Sequence, residues 1–437
     1  MNKVNSQNIL DNAQFNSFHR NVLLWTAFII IFDGYDLVIY GTVLPVLMKT
    51  WNLTPVEAGS LASYALFGMM FGAFLFGTIG NRIGSKNAII TCILLFSGFT
   101  FLCGFAKTPA TFAIFRFIAG FGIGGVMPNA VSLMAEYAPK KIRNTLITIM
   151  FSGIATGGIL SVLVGLFLIP NFGWQAVFYF GILPIALLPF ILKTLPESMN
   201  YLIRKGKSSE AQKILSGIDP NFKLQKDDEL EIPNAILSQT GVKDLFKHKR
   251  LVSTLMFWVA FFMCLLVIYG INSWLPKLIM AKPEYKDNLG LSLTFLLVFN
   301  IGAVFGAIAG GRLGDKFNLR KTVISFFAIA AVVIALLGYT SSFLLYALTF
   351  IAGATTSGNQ IVMNTLVAQY YPPLLRSTGF GWASGIGRIG AIIGPAMVGL
   401  LVSLQLPFEQ NFFAFAIPAA IACLAILFVD YSKEKKF

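Results

Sequence analysis

The sequence predicts an all-α polytopic membrane protein with twelve transmembrane helices in two pseudo-symmetric six-helix bundles. Three observations carry this expectation. Of 437 residues, 56% are hydrophobic and only 12% charged, with a mean hydropathy of +0.74; a soluble domain would be about 25% charged. Twelve apolar runs are each long enough to cross a hydrocarbon core of about 30 Å. Two short polar motifs recur at nearly the same offset in the two halves of the chain, as expected of a duplicated unit.

Residues 1–21 form a predicted cytoplasmic segment. They are polar, and the run that follows is too long for a secretory h-region, so it reads as an uncleaved span. Six spans follow, at 22–48, 56–80, 87–106, 111–135, 145–169 and 174–195, giving a first bundle over 22–195. Charge-rich residues 196–250 form a cytoplasmic interdomain loop with predicted short amphipathic helices. The second bundle, 251–431, holds spans at 251–280, 289–313, 321–340, 343–368, 377–403 and 411–431, and 432–437 is a cytoplasmic tail. The duplication is read from Gly77-Thr-Ile-Gly-Asn81-Arg82 against Gly311-Arg-Leu-Gly-Asp315-Lys316. A second match sets Glu136-Tyr-Ala-Pro139 and Arg143 against Gln369-Tyr-Tyr-Pro372 and Arg376.

The net charge of +14 does not point to nucleic acid. Most Lys and Arg fall on one predicted side, with Lys49, Lys107, Lys277, Lys282 and Lys286 opposite, which is the positive-inside pattern. The four cysteines lie in apolar runs; Cys92 and Cys103 are about 16 Å apart along one helix, too far for a disulfide. No metal-ligand spacing is present. Both histidines, His19 and His248, lie in polar segments, so a proton relay in the membrane must use carboxylates. Gly120-Phe-Gly122-Ile-Gly-Gly125 and Gly385-Ile-Gly387-Arg-Ile-Gly390 match a dinucleotide fingerprint, but both lie within spans and follow no strand. No cofactor is expected, and without a Walker A sequence an ATP-driven pump is not.

These motifs resemble those of the major facilitator superfamily over nearly the whole chain. The loop after the second span carries its Gly-x-x-x-Asp/Asn-Arg/Lys-x-Gly-x-Lys pattern. The fourth span carries Arg116-x-x-x-Gly120-x-Gly122, and Pro196-Glu197-Ser198 follows the sixth. At finer grain the chain resembles the aromatic acid:proton symporter branch, most closely its benzoate-type members. Asp33-Gly34-Tyr35-Asp36, Gly124-Gly125-x-Met-Pro128-Asn129 and Arg376-Ser-Thr-Gly379-x-Gly381-Trp382 with Arg388 carry that likeness. The resemblance implies the major facilitator fold and a transporter, not an enzyme, that moves a small aromatic carboxylate with protons. It further implies a monomer in the bacterial plasma (inner) membrane, with both termini cytoplasmic. Another organic anion such as hydroxybenzoate or muconate is the alternative, ahead of a drug exporter or a membrane sensor. The fifth span lacks the Gly-Pro turn of the exporter group.

Asp33 and Asp36 are the candidate proton-coupling residues. A carboxylate in hydrocarbon costs about 2.5–3.5 kcal/mol on insertion scales, and two of them, three residues apart, share a helix face. Tyr40 continues that face, and Tyr35 stands between the acids. Counting about 1.5 Å per residue, Arg116 reaches the depth of Asp36, and Arg388 that of Asp33. Arg116 is either the coupling partner of the acid or half of a permanent salt bridge. Arg388 either meets an anionic substrate or neutralises an aspartate. The acids have no acidic counterparts in the second half, where the offset lands near Val267 and Tyr269. Trp382, Gln360, Asn364, Asn272 and Asn300 are candidate pocket residues, by ring stacking or amide hydrogen bonds, or else packing residues.

At the inner ends of the spans, Asn81 with Arg82, Glu136, Arg143, Asp315 and Arg376 are candidate gate residues; helix-end capping is the competing reading. Asn81 stands where the superfamily favours Asp, and Ser85 and Asn318 depart from its usual Arg and Gly.

Overall fold

A computed structural model describes residues 3–218, 229–231, 242–247, 250–286, 288–340, 342–371 and 375–430. Apart from a three-residue parallel pairing of β1 (Lys3–Asn5) with β2 (Glu229–Glu231), the described chain is helical. A short α1 (Ser6–Asn12) precedes α2 (Ser17–Thr50), α3 (Pro55–Ile83), α4 (Ser85–Cys103), α5 (Pro109–Tyr137) and α6 (Arg143–Phe172), which are the first five spans. The sixth is three short helices, α7 (Trp174–Phe180), α8 (Leu183–Ala186) and α9 (Leu188–Thr194). Then come α10 (Met199–Arg204) and α11 (Ser208–Ile218), the short helices expected in the loop. The second set is α12 (Leu251–Ile279), α13 (Leu289–Lys316), α14 (Leu319–Leu337), α15 (Ser342–Thr355), α16 (Ser357–Tyr370), α17 (Arg376–Ser403) and α18 (Phe408–Leu427).

Local chemistry sets many of these boundaries. Thr54 and Glu57 form a capping box at the start of α3: Thr54 N donates to Glu57 Oε2 (2.9 Å) and Glu57 N to Thr54 Oγ1 (3.3 Å). Thr108 caps α5 ahead of Pro109. Asn318 accepts from Lys321 N (3.2 Å) and caps α14, which accounts for an amide where the superfamily favours glycine. Pro184 and Pro189 cannot donate to a helical ladder, and the sixth span breaks around them.

Eleven helices of the described chain are long and apolar enough to cross a membrane. The tenth span is missing from that count because it breaks at Thr356 into α15 and α16. The hydroxyls of Thr355 and Thr356 bond back to the carbonyls of Ile351 (2.7 Å) and Ala352 (2.6 Å), a contact that bends helices. With that span, the helices agree with the twelve expected. Large apolar side chains such as Phe74, Phe167, Phe305 and Phe428 are exposed, as lipid-facing positions should be.

By packing, the chain forms two compact units. The first comprises Met1–Asp36, Phe67–Gly157 and Phe178–Leu237, and the second Leu37–Leu66, Gly158–Val177 and Ser238–Phe437. The division runs through α2, α3, α6 and α7, not only between the sixth and seventh spans. In the first unit, α2 and α6 cross backbone to backbone: a Cβ on Gly34 would lie 2.1 Å from Ile154 O, and one on Gly157 would lie 1.9 Å from Ile31 O. The N-terminal segment is tied down in the same unit. Asp11 pairs with Arg143, its carbonyl accepts from Lys140 N (3.0 Å), and Asn16 Nδ2 donates to Ile218 O (3.0 Å). His19, expected in a polar segment, is fully buried there; His248 lies outside the described residues.

In the second unit the far ends of α2 and α3 pack against α12 and α17. Ser63 Oγ donates to Ile392 O (2.6 Å), and a Cβ on Gly41 would lie 1.8 Å from Asn272 O. That end of the helices closes on itself with no room for a side chain at the crossing.

Candidate functional site

Asp33 and Asp36 are both buried in α2, at 0% and 1% exposure. Arg116 descends on α5 to meet the second of them. Its Nη1 lies 2.7 Å from Asp36 Oδ2, and its Nη2 donates to the Asp36 carbonyl (3.2 Å). The other carboxylate oxygen, Oδ1, accepts from Thr100 Oγ1 on α4 at 2.5 Å. Three donors from two helices therefore converge on one residue of a third. A buried charge in hydrocarbon is tolerable only when paired and hydrogen-bonded, and this carboxylate is both. Arg116 Nε has no hydrogen-bond partner among the described residues. Tyr35, between the acids, is buried in an aromatic cluster with Phe32 (5.7 Å between ring centres) and Phe180 (5.6 Å).

In the second unit, Arg388 on α17 is half-buried, and its Nη1 donates to the hydroxyl of Tyr269 on α12 (3.0 Å). Tyr269 is the residue that the repeat sets opposite Asp36.

The remaining pocket candidates divide. Tyr40 is buried, with its hydroxyl on the Ala58 carbonyl (2.5 Å). Asn272 and Asn300 are buried against each other, Asn300 Nδ2 to Asn272 Oδ1 at 3.4 Å, and each amide also donates to the carbonyl one turn back. A Cβ on Gly158 would lie 2.4 Å from Asn300 Oδ1, so the Asn300 amide is set against the backbone of α6. Trp382 is 43% exposed and stacks on Trp258 (5.7 Å, 24°). Gln360 and Asn364 are half-buried on α16, and Asn364 Oδ1 has no hydrogen-bond partner among the described residues.

The gate candidates are similarly dispersed. Glu136 is buried and accepts from Asn200 N (2.7 Å) at the start of α10. Arg143 pairs with Asp11 and donates through Nε to the Ala138 carbonyl (3.1 Å). Arg82 and Asp315 are exposed. The side chains of Asn81 and Arg376 lie outside the described residues.

Sequence reasoning missed Thr100, Tyr269, Trp258 and Glu197. Glu197 Oε1 accepts from Lys86 N (2.9 Å) and Ser198 N (2.8 Å), joining the end of the sixth span to the start of α4. The offset between the halves pointed at Tyr269, and Glu197 stood in a quoted motif. A hydroxyl such as Thr100 leaves no trace in hydropathy, because it can satisfy itself on its own helix.

Comparison with known proteins places this architecture. The profile of the Major Facilitator Superfamily matches residues 26–310 and 278–437. The chain is 43% identical over 436 residues to the benzoate transport protein of Acinetobacter baylyi, covering 98% of this chain and 93% of that one. It is 35% identical to the gentisate transporter of Corynebacterium glutamicum, covering 91% and 85%. Among solved structures, the inward open xylose transporter XylE from E. coli superposes with a TM-score of 0.73 at 18% identity, covering 95% of this chain and 98% of that one. The chain belongs to the Major Facilitator Superfamily, a multi-pass membrane protein whose named relatives are transporters.

Proposed function

We propose that this protein imports a small, benzoate-like aromatic carboxylate together with protons, by alternating access between the six-helix halves 22–195 and 251–431. Likeness to the benzoate transport protein along nearly the full length of both chains carries the substrate. The buried acid of α2, held by Arg116 and Thr100, supports the coupling.

A proton arriving at the α2 acids neutralises one carboxylate and loosens its hold on Arg116. The substrate carboxylate meets Arg388, whose fork suits two-point contact with a carboxylate, and Tyr269 orients that fork. Aromatic faces and amides at similar depth complete the pocket. The helix ends sealed by Ser63, Gly41 and their partners face outward in this reading. The protein works as a monomer in the bacterial plasma (inner) membrane with both termini cytoplasmic, and Arg82, Asp315 and their neighbours close the inner side in the opposite state. Hydroxybenzoate, gentisate or muconate is the second reading for the substrate.

Uptake of radiolabelled benzoate into vesicles with an imposed pH gradient tests both parts. Accumulation should follow the gradient, and unlabelled hydroxybenzoates should compete better than hexoses. Accumulation indifferent to the gradient would end the symport reading, and displacement by hexoses would end the substrate reading. Asp36→Asn should abolish accumulation while leaving substrate exchange; unimpaired driven uptake would remove Asp36 from the coupling.

A further inference from the structure

Thr100 is 1% exposed in the third span, and its two branches have different jobs. The hydroxyl donates to Asp36 Oδ1 at 2.5 Å. The methyl lies over Gly181, at the break between α7 and α8, where a Cβ would come within 2.6 Å of Thr100 Cγ2. One turn earlier, Ser97 Oγ donates to the Gly181 carbonyl (2.6 Å) and pins the same two segments together. A β-branched residue has few χ1 choices in a helix, so the absent side chain at 181 selects the rotamer that aims the hydroxyl at the acid.

The other charged and titratable groups facing Asp36 come from three helices. Arg116 on α5 binds Oδ2. Cys103 follows Thr100 by one turn on α4, and Tyr35 precedes Asp36 on α2. Asp33 stands one turn earlier on α2. Since Oδ2 carries the guanidinium, Oδ1 is the oxygen open to a proton, and it is the one that Thr100 touches.

We propose that Thr100, seated by Gly181, is a positioning residue that sets the proton affinity of Asp36. This rests on the coupling role proposed for Asp36. While the carboxylate is charged, the hydroxyl donates to it and favours that form. When a proton binds Oδ1, the new O–H donates to Thr100 Oγ1, and the hydroxyl hydrogen turns to the carbonyl one turn back in α4. A hydroxyl can do both, but its bond to the charged carboxylate is the stronger and so favours that form on balance, whereas a methyl can do neither.

The test is the initial rate of benzoate uptake against external pH for the wild type, Thr100→Val, Thr100→Ser and Gly181→Ala. Valine keeps the methyl over Gly181 and deletes the donor, so half-maximal uptake should move to higher pH by about one unit, roughly tenfold in proton affinity. Serine keeps the hydroxyl and should keep the wild-type profile. Gly181→Ala displaces the threonine and should shift the profile in the direction of valine. Substrate exchange at equal pH on both sides confirms that each variant is assembled. A pH-responsive wild type whose profile coincides with that of Thr100→Val overturns the role of Thr100 alone. A wild type indifferent to pH overturns the coupling reading and this inference with it.

Discussion

Each half of the chain uses the same place on its first span to hold an arginine, and the two holds differ. In the first half the residue is Asp36, fully buried, and it takes Arg116 from the fourth span at 2.7 Å. In the second half the residue that the repeat sets opposite is Tyr269, and it takes Arg388 from the fifth span of that half at 3.0 Å. Acid against arginine makes a closed, neutral unit whose parts depend on one another. Phenol against arginine makes a single hydrogen bond at a half-buried site. The two halves thus differ in the residue that holds and in the span that supplies the arginine. That difference is the basis for proposing a proton at the first site and an anionic substrate at the second.

The largest expected effect breaks the first hold. Arg116→Ala leaves a buried carboxylate without its partner, which should cost about 3–5 kcal/mol. Thermal melting of the detergent-solubilised protein reads this directly. A wild-type melting curve would show that the two arginines are held alike after all. Next comes Gly41→Ala, which puts a methyl where the Asn272 carbonyl already sits, 1.8 Å away. Overpacking of that kind costs about 1–3 kcal/mol, and here it should appear as loss of the sealed end. A cysteine placed at Ser63 should become more reactive to an impermeant thiol reagent, and unchanged labelling would contradict the tight crossing.

Smaller effects sharpen the second hold. Arg388→Lys keeps the charge and loses the planar fork. The half-saturating benzoate concentration should rise roughly tenfold, in keeping with one charged hydrogen bond lost, while melting barely moves. A large fall in stability with unchanged affinity would make Arg388 a structural partner, as Arg116 is. Least of all, Asn300→Ala removes one interhelical amide contact, worth about 0.6 kcal/mol in membranes. A melting shift near the limit of detection is expected, with substrate affinity preserved; a tenfold loss of affinity would put this amide in the pocket.

Much of this was legible in the sequence where regular geometry does the work. Helix rise is constant, so counting residues from the ends of two spans set Arg116 level with Asp36, and the two side chains meet. The apolar runs and the repeated loops were legible for the same reason, since bilayer thickness and duplication both write themselves in period and offset. Rotation about a helix axis is less visible. The count gives the depth of Asn272 and Asn300 but not that they meet each other, nor that the Asn300 amide oxygen faces Gly158. The break at Thr356 was illegible because its cause is a pair of hydroxyls bonding to their own helix, invisible to hydropathy. Thr100 hid in the same way, while contributing one of the three donors on Asp36.

The N-terminal segment carries a consequence for synthesis. Asp11 and Asn16 leave the ribosome before any span, but what they bind is made much later: Lys140 and Arg143 after the fourth span, Gly217 and Ile218 after the sixth. The full set of these contacts therefore cannot form until residues 217 and 218, beyond the sixth span, have been made.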